Sequence, residues 1–184
     1  MTNSITIIDY GMGNIWSVLS ALRYLGFNPA VSCSPSEISR AESLVLPGVG
    51  SFRNAMIRLR KAQLDQAILE AVQIRGGKIL GICLGMQLMG SRGSEDGDTL
   101  GLGLIPNPVE RFTPQEVGKN KIPHIGFNTV SSKPGARLFR GLPVASDFYF
   151  VHSYRMLPEG LNGVTAICMH GVKFLAAYEQ DNIF

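Results

Sequence analysis

Cysteine is scarce in this 184-residue chain: there are three, Cys33, Cys83 and Cys168. They are far apart, odd in number and in no CxxC pairing, which excludes a disulfide framework and a zinc ribbon. Charge of one sign is also lacking. Seventeen Lys and Arg stand against fourteen Asp and Glu, a formal net charge of +3, and the basic residues are scattered. That gives no case for a nucleic-acid partner. No apolar run is long enough to span a bilayer. The start, Met1-Thr2-Asn3-Ser4-Ile5, has neither the basic opening nor the apolar stretch of a secretory signal. A soluble cytoplasmic protein without membrane contacts is therefore expected. With 45% apolar and 17% charged residues the chain is globular. Its length suits one well-cored domain over residues 1–184.

What is present centres on Gly77-Lys78-Ile79-Leu80-Gly81-Ile82-Cys83-Leu84-Gly85-Met86-Gln87-Leu88-Met89-Gly90. Residues 79–82 are apolar on both faces, as in a strand buried within a parallel sheet. Residues 84–89 read as the first turns of a helix. Between them Cys83 is flanked two residues on either side by Gly81 and Gly85. A sharp strand-to-helix turn strains its central residue and leaves no room for neighbouring side chains. This is the logic of the nucleophile elbow, here G-x-C-x-G. At a helix start, unsatisfied N–H groups also favour a thiolate. A small cysteine at a buried strand end is the plainer alternative.

Residues 5–8 are a β-branched run ending at Asp9, hence a first strand. Asp9-Tyr10-Gly11-Met12-Gly13-Asn14 makes the turn, with Asn14 as N-cap of a helix carrying Ile15, Val18, Leu19, Leu22 and Leu25. Gly26 closes it. The Gly11–Gly13 pair lacks the third glycine and the following acidic residue of a dinucleotide fingerprint, so a nicotinamide site is rejected. Residues 28–33 suggest a second strand, and Ser34 with Glu37 stands at capping-box spacing around Pro35. Residues 43–46 form a third strand running into Pro47-Gly48-Val49-Gly50-Ser51-Phe52, whose amides can approach a ligand closely.

Helical patterns follow over 52–60 and 64–72. The basic run Arg53, Arg58, Arg60 and Lys61 suits a solvated helix face. After a polar loop at 91–99, strand-like runs appear at 102–105, 109–112, 125–130, 148–154, 164–169 and 174–178. The fold class is therefore α/β, a mainly parallel sheet flanked by helices with an antiparallel extension in the second half. The loops at 9–14, 47–52 and 83–88 lie at the carboxyl ends of parallel strands, where function is expected.

Those three loops, together with Pro123-His124-Ile125-Gly126-Phe127-Asn128 and Tyr149-Phe150-Val151-His152-Ser153-Tyr154, resemble the class I (triad) glutamine amidotransferases. Within them the resemblance is to the glutaminase subunits of imidazole glycerol phosphate synthase. It runs in order from about residue 5 to the last residue. It implies that Cys83 attacks the side-chain amide of glutamine, giving a thioester and releasing ammonia, with no cofactor or metal. It assigns the oxyanion donors to the backbone N–H of Leu84 and of Val49, the latter after a peptide reorientation in the 47–50 loop. It places Gly48, Gly50, Gln87, Glu95, Ser153 and Tyr154 around L-glutamine, with Glu95 facing the ammonium group. Asn14, Phe127, Tyr149 and His152 match the surface facing a cyclase (synthase) partner in a heterodimer, which receives the ammonia in histidine biosynthesis.

Two departures accompany the resemblance. The family carries tryptophan where Phe127 stands. Its catalytic histidine and glutamate lie in a His-Pro-Glu motif beyond the segment matched by 174–184, so these 184 residues are expected to be a piece of a longer chain. His124, His152 and His170 suit structural or interface roles rather than that of a general base. Two further readings stay open: a paralogue feeding ammonia to amidination of a surface-polysaccharide sugar, and a non-catalytic assembly subunit should the chain end at Phe184. Other cysteine hydrolases on the same elbow fit Gln87 and the 47–50 loop less well.

Overall fold

The computed structural model describes residues 4–184; Met1–Asn3, part of the N-terminal stretch read above, lie outside the described residues. The first half alternates strand and helix: β1 (Ile5–Ile8), α1 (Ile15–Tyr24), β2 (Ala30–Ser32), α2 (Pro35–Ile38), β3 (Ser43–Gly48), α3 (Phe52–Lys61), α4 (Leu64–Leu69), β4 (Lys78–Cys83) and α5 (Leu84–Leu88). After α4 the backbone continues through π-helical turns over Glu70–Ile74. The four strands form a parallel sheet in the order β2-β1-β3-β4. Successive side chains of a strand point to opposite faces, and both faces here are covered. Ile8, Leu44 and Leu46 pack with Phe52, Met56, Leu59, Ile68 and Leu88 of the helices on one side. Ile7 and Val45 pack with Leu19 of α1 on the other. Each fully buried side chain of this size stabilises by about 1.5–3 kcal/mol.

The second half contains β5 (Arg92–Gly93), β6 (Thr99–Leu100), β7 (Val109–Arg111), α6 (Pro114–Val117), β8 (His124–Ser132), β9 (Ala145–His152), β10 (Tyr154–Met156), β11 (Val164–His170) and β12 (Val172–Glu179). These strands build a sheet of their own, in the order β6-β5-β7-β10-β12-β11-β8-β9, antiparallel except where β5 meets β7. Phe112, Val130, Cys168 and Phe174 form its separate apolar cluster. The α/β class with a parallel first half and an antiparallel second half is as the sequence implies.

Several local expectations are corrected. Residues 28–33 yield only three strand residues, Ala30–Ser32. Residues 102–105 are not a strand. Leu102 and Ile105 instead donate their N–H groups to the carbonyls of Leu88 and Met89, both at 2.8 Å, so this apolar run is buried against the end of α5. The polar stretch 91–99 contains the β5–β6 pairing. The Ser34–Glu37 capping box does not form, because Glu37 accepts from the Ser32 hydroxyl at 2.5 Å. A capping box forms at Thr113 and Glu116 instead.

Strand β4 is less buried than its apolar letters imply. Ile79 is buried, but Ile82 is exposed, since β4 pairs with β3 on one side only, apart from contacts of residues 79–81 with 182–184. The arginines of α3 are not merely solvated. Arg53, Arg58 and Arg60 donate to the carbonyls of Asp96 (2.7 Å), Gly11 (3.2 Å) and Leu100 (2.7 Å), tying two loops to the helix.

Candidate active site

The turn from β4 to α5 has the geometry that its glycines demand. Cys83 stands at φ 57°, ψ −118°, a region that L-residues rarely occupy. A β-carbon on Gly81 would lie 2.6 Å from Met86 Cα, and one on Gly85 would lie 1.7 Å from the Leu46 carbonyl oxygen. Neither position accepts a side chain, so the helix packs directly across the strand that feeds it. The register pairs Cys83 with Gly48 at the end of β3, which brings the 47–50 loop beside the sulfur. Helix α5 is only five residues long, and what it presents at Cys83 is the N–H groups of its first turn.

Cys83 is exposed and opens into a cavity of about 470 Å³. Val49, Gly50, Leu84, Gln87, Glu95, Ser153 and Tyr154 share its lining. Gly48 does not line it; it supports the wall from behind, where the Tyr10 hydroxyl occupies the space a side chain would need. The first glycine loop, 9–14, touches this wall without entering the cavity: a β-carbon on Gly50 would meet Met12 Cε at 2.8 Å.

Burial and the neighbouring Cys83 sulfur push the Tyr10 phenol above its ordinary range, so it stays protonated. Gln87 donates from Nε2 to the Tyr154 carbonyl at 3.0 Å, joining α5 to β10 across the cavity. The Glu95 carboxylate accepts the Phe52 N–H at 2.8 Å, at the start of α3. Burial raises its pKa, an effect opposed by that N–H and reinforced by Asp96.

Arg111, Pro123 and Val151 line the same cavity and were missed in the sequence. Arg111 reaches it because β7 pairs with β10 in the register Arg111–Tyr154. Only the sheet pairing brings those two positions together. The cavity lining thus includes one acidic residue, Glu95, and one arginine, Arg111, beside a strained thiol. Among the described residues no three His, Cys, Asp or Glu side chains converge as a metal ion would require.

The positions matched to a partner face are divided. Phe127 and Tyr149 are paired across β8 and β9, 73% and 58% exposed, with ring centroids 5.1 Å apart. Asn14 accepts the Ser17 N–H at 3.3 Å and caps α1 as expected. His152 lines the cavity instead, and its ring is turned inward against Phe112 and Phe174. Both of its ring nitrogens are engaged, with His124 at 2.9 Å and the Tyr154 carbonyl at 2.8 Å, so it is not free to serve Cys83 as a base.

Comparison with known proteins agrees with this geometry. Residues 6–184 match the family described as glutamine amidotransferase class-I. The chain is 45% identical over 181 residues to the imidazole glycerol phosphate synthase subunit HisH of Moorella thermoacetica, covering 98% of this chain and 83% of that protein. It is 44% identical to the subunit of the same name from Chlorobaculum tepidum, covering 97% and 87%. Among solved structures, a glutamine amidotransferase superposes with a TM-score of 0.72 at 15% identity, covering 97% of this chain and 86% of that one. PurLQS from Thermotoga maritima superposes at 0.71 and 18% identity, covering 100% and 85%. The strained cysteine between two indispensable glycines, the glycine loop paired beside it and a family match over nearly every residue agree: this chain belongs to the class-I glutamine amidotransferases.

Proposed function

We infer that the chain is the glutaminase subunit of imidazole glycerol phosphate synthase. It hydrolyses L-glutamine to glutamate and ammonia, and passes the ammonia to a cyclase subunit in histidine biosynthesis. The observation that carries the reading is the placement of Cys83, held at φ 57° in a cavity that also presents Gln87 and Glu95.

Glutamine lies with its ammonium group toward Glu95 and its side-chain amide at Cys83. The sulfur attacks the amide carbon, and a tetrahedral intermediate forms with its charge on oxygen. The N–H of Leu84, the residue after the nucleophile, and that of Val49 in the facing loop stabilise this oxyanion. Loss of one such donor typically raises the barrier by about 2.7–4 kcal/mol. The carbon–nitrogen bond then breaks, the nitrogen takes the proton that the Cys83 thiol gave up and leaves as ammonia, and a Cys83 thioester remains. Water cleaves the thioester, releasing glutamate and restoring the thiol. Gly48 and Gly50 let the loop backbone approach, and Ser153 and Tyr154 bound the pocket beside Gln87. Asn14, Phe127 and Tyr149 contribute to the face met by the cyclase.

The test is covalent. A glutamine-analogue electrophile added to the full-length protein labels Cys83 and leaves the exposed Cys33 and the buried Cys168 unmodified. Cys83→Ala abolishes glutamine-dependent synthesis by the complex while synthesis from added ammonia continues. Label on Cys33 alone, or a Cys83→Ala complex that keeps its glutamine-dependent rate, overturns the assignment.

A further inference from the structure

Asn128 on β8 donates through one amide nitrogen to the Met169 carbonyl at 3.1 Å and faces His124 Nε2 at 3.0 Å with the same atom. A carbonyl can only accept, so that nitrogen is a donor and His124 Nε2 is its acceptor. A neutral imidazole that accepts at Nε2 carries its proton on Nδ1. His124 Nδ1 faces His152 Nε2 at 2.9 Å, so His152 in turn accepts at Nε2 and donates from Nδ1. His152 Nδ1 meets the Tyr154 carbonyl, an obligate acceptor, at 2.8 Å. The two fixed ends therefore dictate one direction for the whole chain. The tautomer of each ring follows from its partners.

The last acceptor is shared: the Tyr154 carbonyl also receives Gln87 Nε2 from the opposite wall of the cavity. Packing holds the chain in place. His124 is 3% exposed, the His170 ring stacks on it at 4.0 Å, and Phe150 and Phe174 close its remaining sides. His170 is itself anchored by the Lys121 carbonyl at 2.9 Å.

Resting on the glutaminase reading above, we propose that His124 is a positioning residue for glutamine. Acting through His152, it fixes the Tyr154 carbonyl, and with it the Gln87 side chain, in the wall of the substrate pocket. It touches neither glutamine nor Cys83.

Steady-state glutaminase kinetics of the full-length protein with its partner subunit test this. His124→Phe keeps an aromatic ring in place but cannot donate, and raises KM for glutamine roughly three- to tenfold with kcat within about twofold. His124→Asn returns an N–H to the Nδ1 position and restores KM to within about twofold of the parent. An unchanged KM in His124→Phe, or a loss that His124→Asn does not relieve, overturns the proposal. A second measurement needs no turnover. Long-range nitrogen-15 spectra show a protonated Nδ1 and a bare Nε2 in both His124 and His152, and a protonated Nε2 in either overturns the chain. A parent protein that leaves glutamine intact defeats the glutaminase reading instead, and the tautomers still decide whether the chain exists.

Discussion

A β-carbon on Gly85 would stand 1.7 Å from the carbonyl oxygen of Leu46, far inside van der Waals contact. Helix α5 lies directly on strand β3 there, and that contact aims the start of the helix at Cys83. Gly85→Ala must lift the helix from the sheet. We expect it to lower stability by about 3 kcal/mol or more, the upper range for overpacking, read as the fall in urea midpoint. A midpoint equal to the parent's would mean that the helix has room to move.

Cys83 itself is held at a cost. Its backbone region typically costs an L-residue about 1–3 kcal/mol and costs glycine little. Cys83→Gly should therefore be more stable than Cys83→Ala by about 1 kcal/mol, after allowing for the extra flexibility of unfolded glycine. Both variants lose turnover. Equal melting temperatures for the two would show that the elbow is not strained.

Among the described residues, Glu95 is the one carboxylate lining the cavity. Glu95→Gln keeps an acceptor for the Phe52 N–H but loses the charge that faces an ammonium group. KM for glutamine should rise roughly 10- to 100-fold, the range expected for a hydrogen bond to a charged group. Because burial raises this carboxyl's pKa, the parent's glutamine affinity should fall as pH drops, beginning above the ordinary carboxylate range. Pocket occupancy measured by titration at several pH values checks both, and a pH profile unchanged in Glu95→Gln would exclude the assignment.

The histidine chain makes the fold acid-sensitive. Burial, with His170 and His152 alongside, pushes His124 from 6.5 down to about 4, and burial also lowers His152. Between these values the unfolded chain binds protons that the folded chain does not. Stability is therefore complete above the unfolded value of about 6.5 and is lost as pH falls toward about 4. Urea midpoints taken from pH 7 to pH 4 should fall steadily in the parent and less steeply in His124→Asn. Parallel slopes would place the acid sensitivity elsewhere.

Much of the site is visible in the letters because its determinants are local. Gly81 and Gly85 announce an elbow, since only a residue without a β-carbon fits where helix crosses strand. Asn14 announces a cap three residues before the N–H it receives. Two of the misreadings have one cause: a short polar pattern has several possible partners, and the fold chooses among them. Glu37 takes the Ser32 hydroxyl rather than the Ser34 cap. The arginines of α3 find loop carbonyls some forty residues away rather than water. The apolar run at 102–105 reads as strand because burial against a helix end and burial in a sheet leave the same letters.

Sequence by itself determined the strand–turn–helix at Cys83, the alternating β and α elements before it and the strand-rich half after it, all set by neighbours a few residues apart. It also carried the family, through ordered motifs. Tertiary structure alone decided that Arg111 joins the cavity, that His152 turns inward to His124, and that Tyr154 and Gln87 share a bond. Those outcomes depend on strand register, and on the packing of α5 against β10, between segments 28 to 67 residues apart. Register is settled by which faces of two sheets become dry, a property of the whole packed chain rather than of any stretch within it.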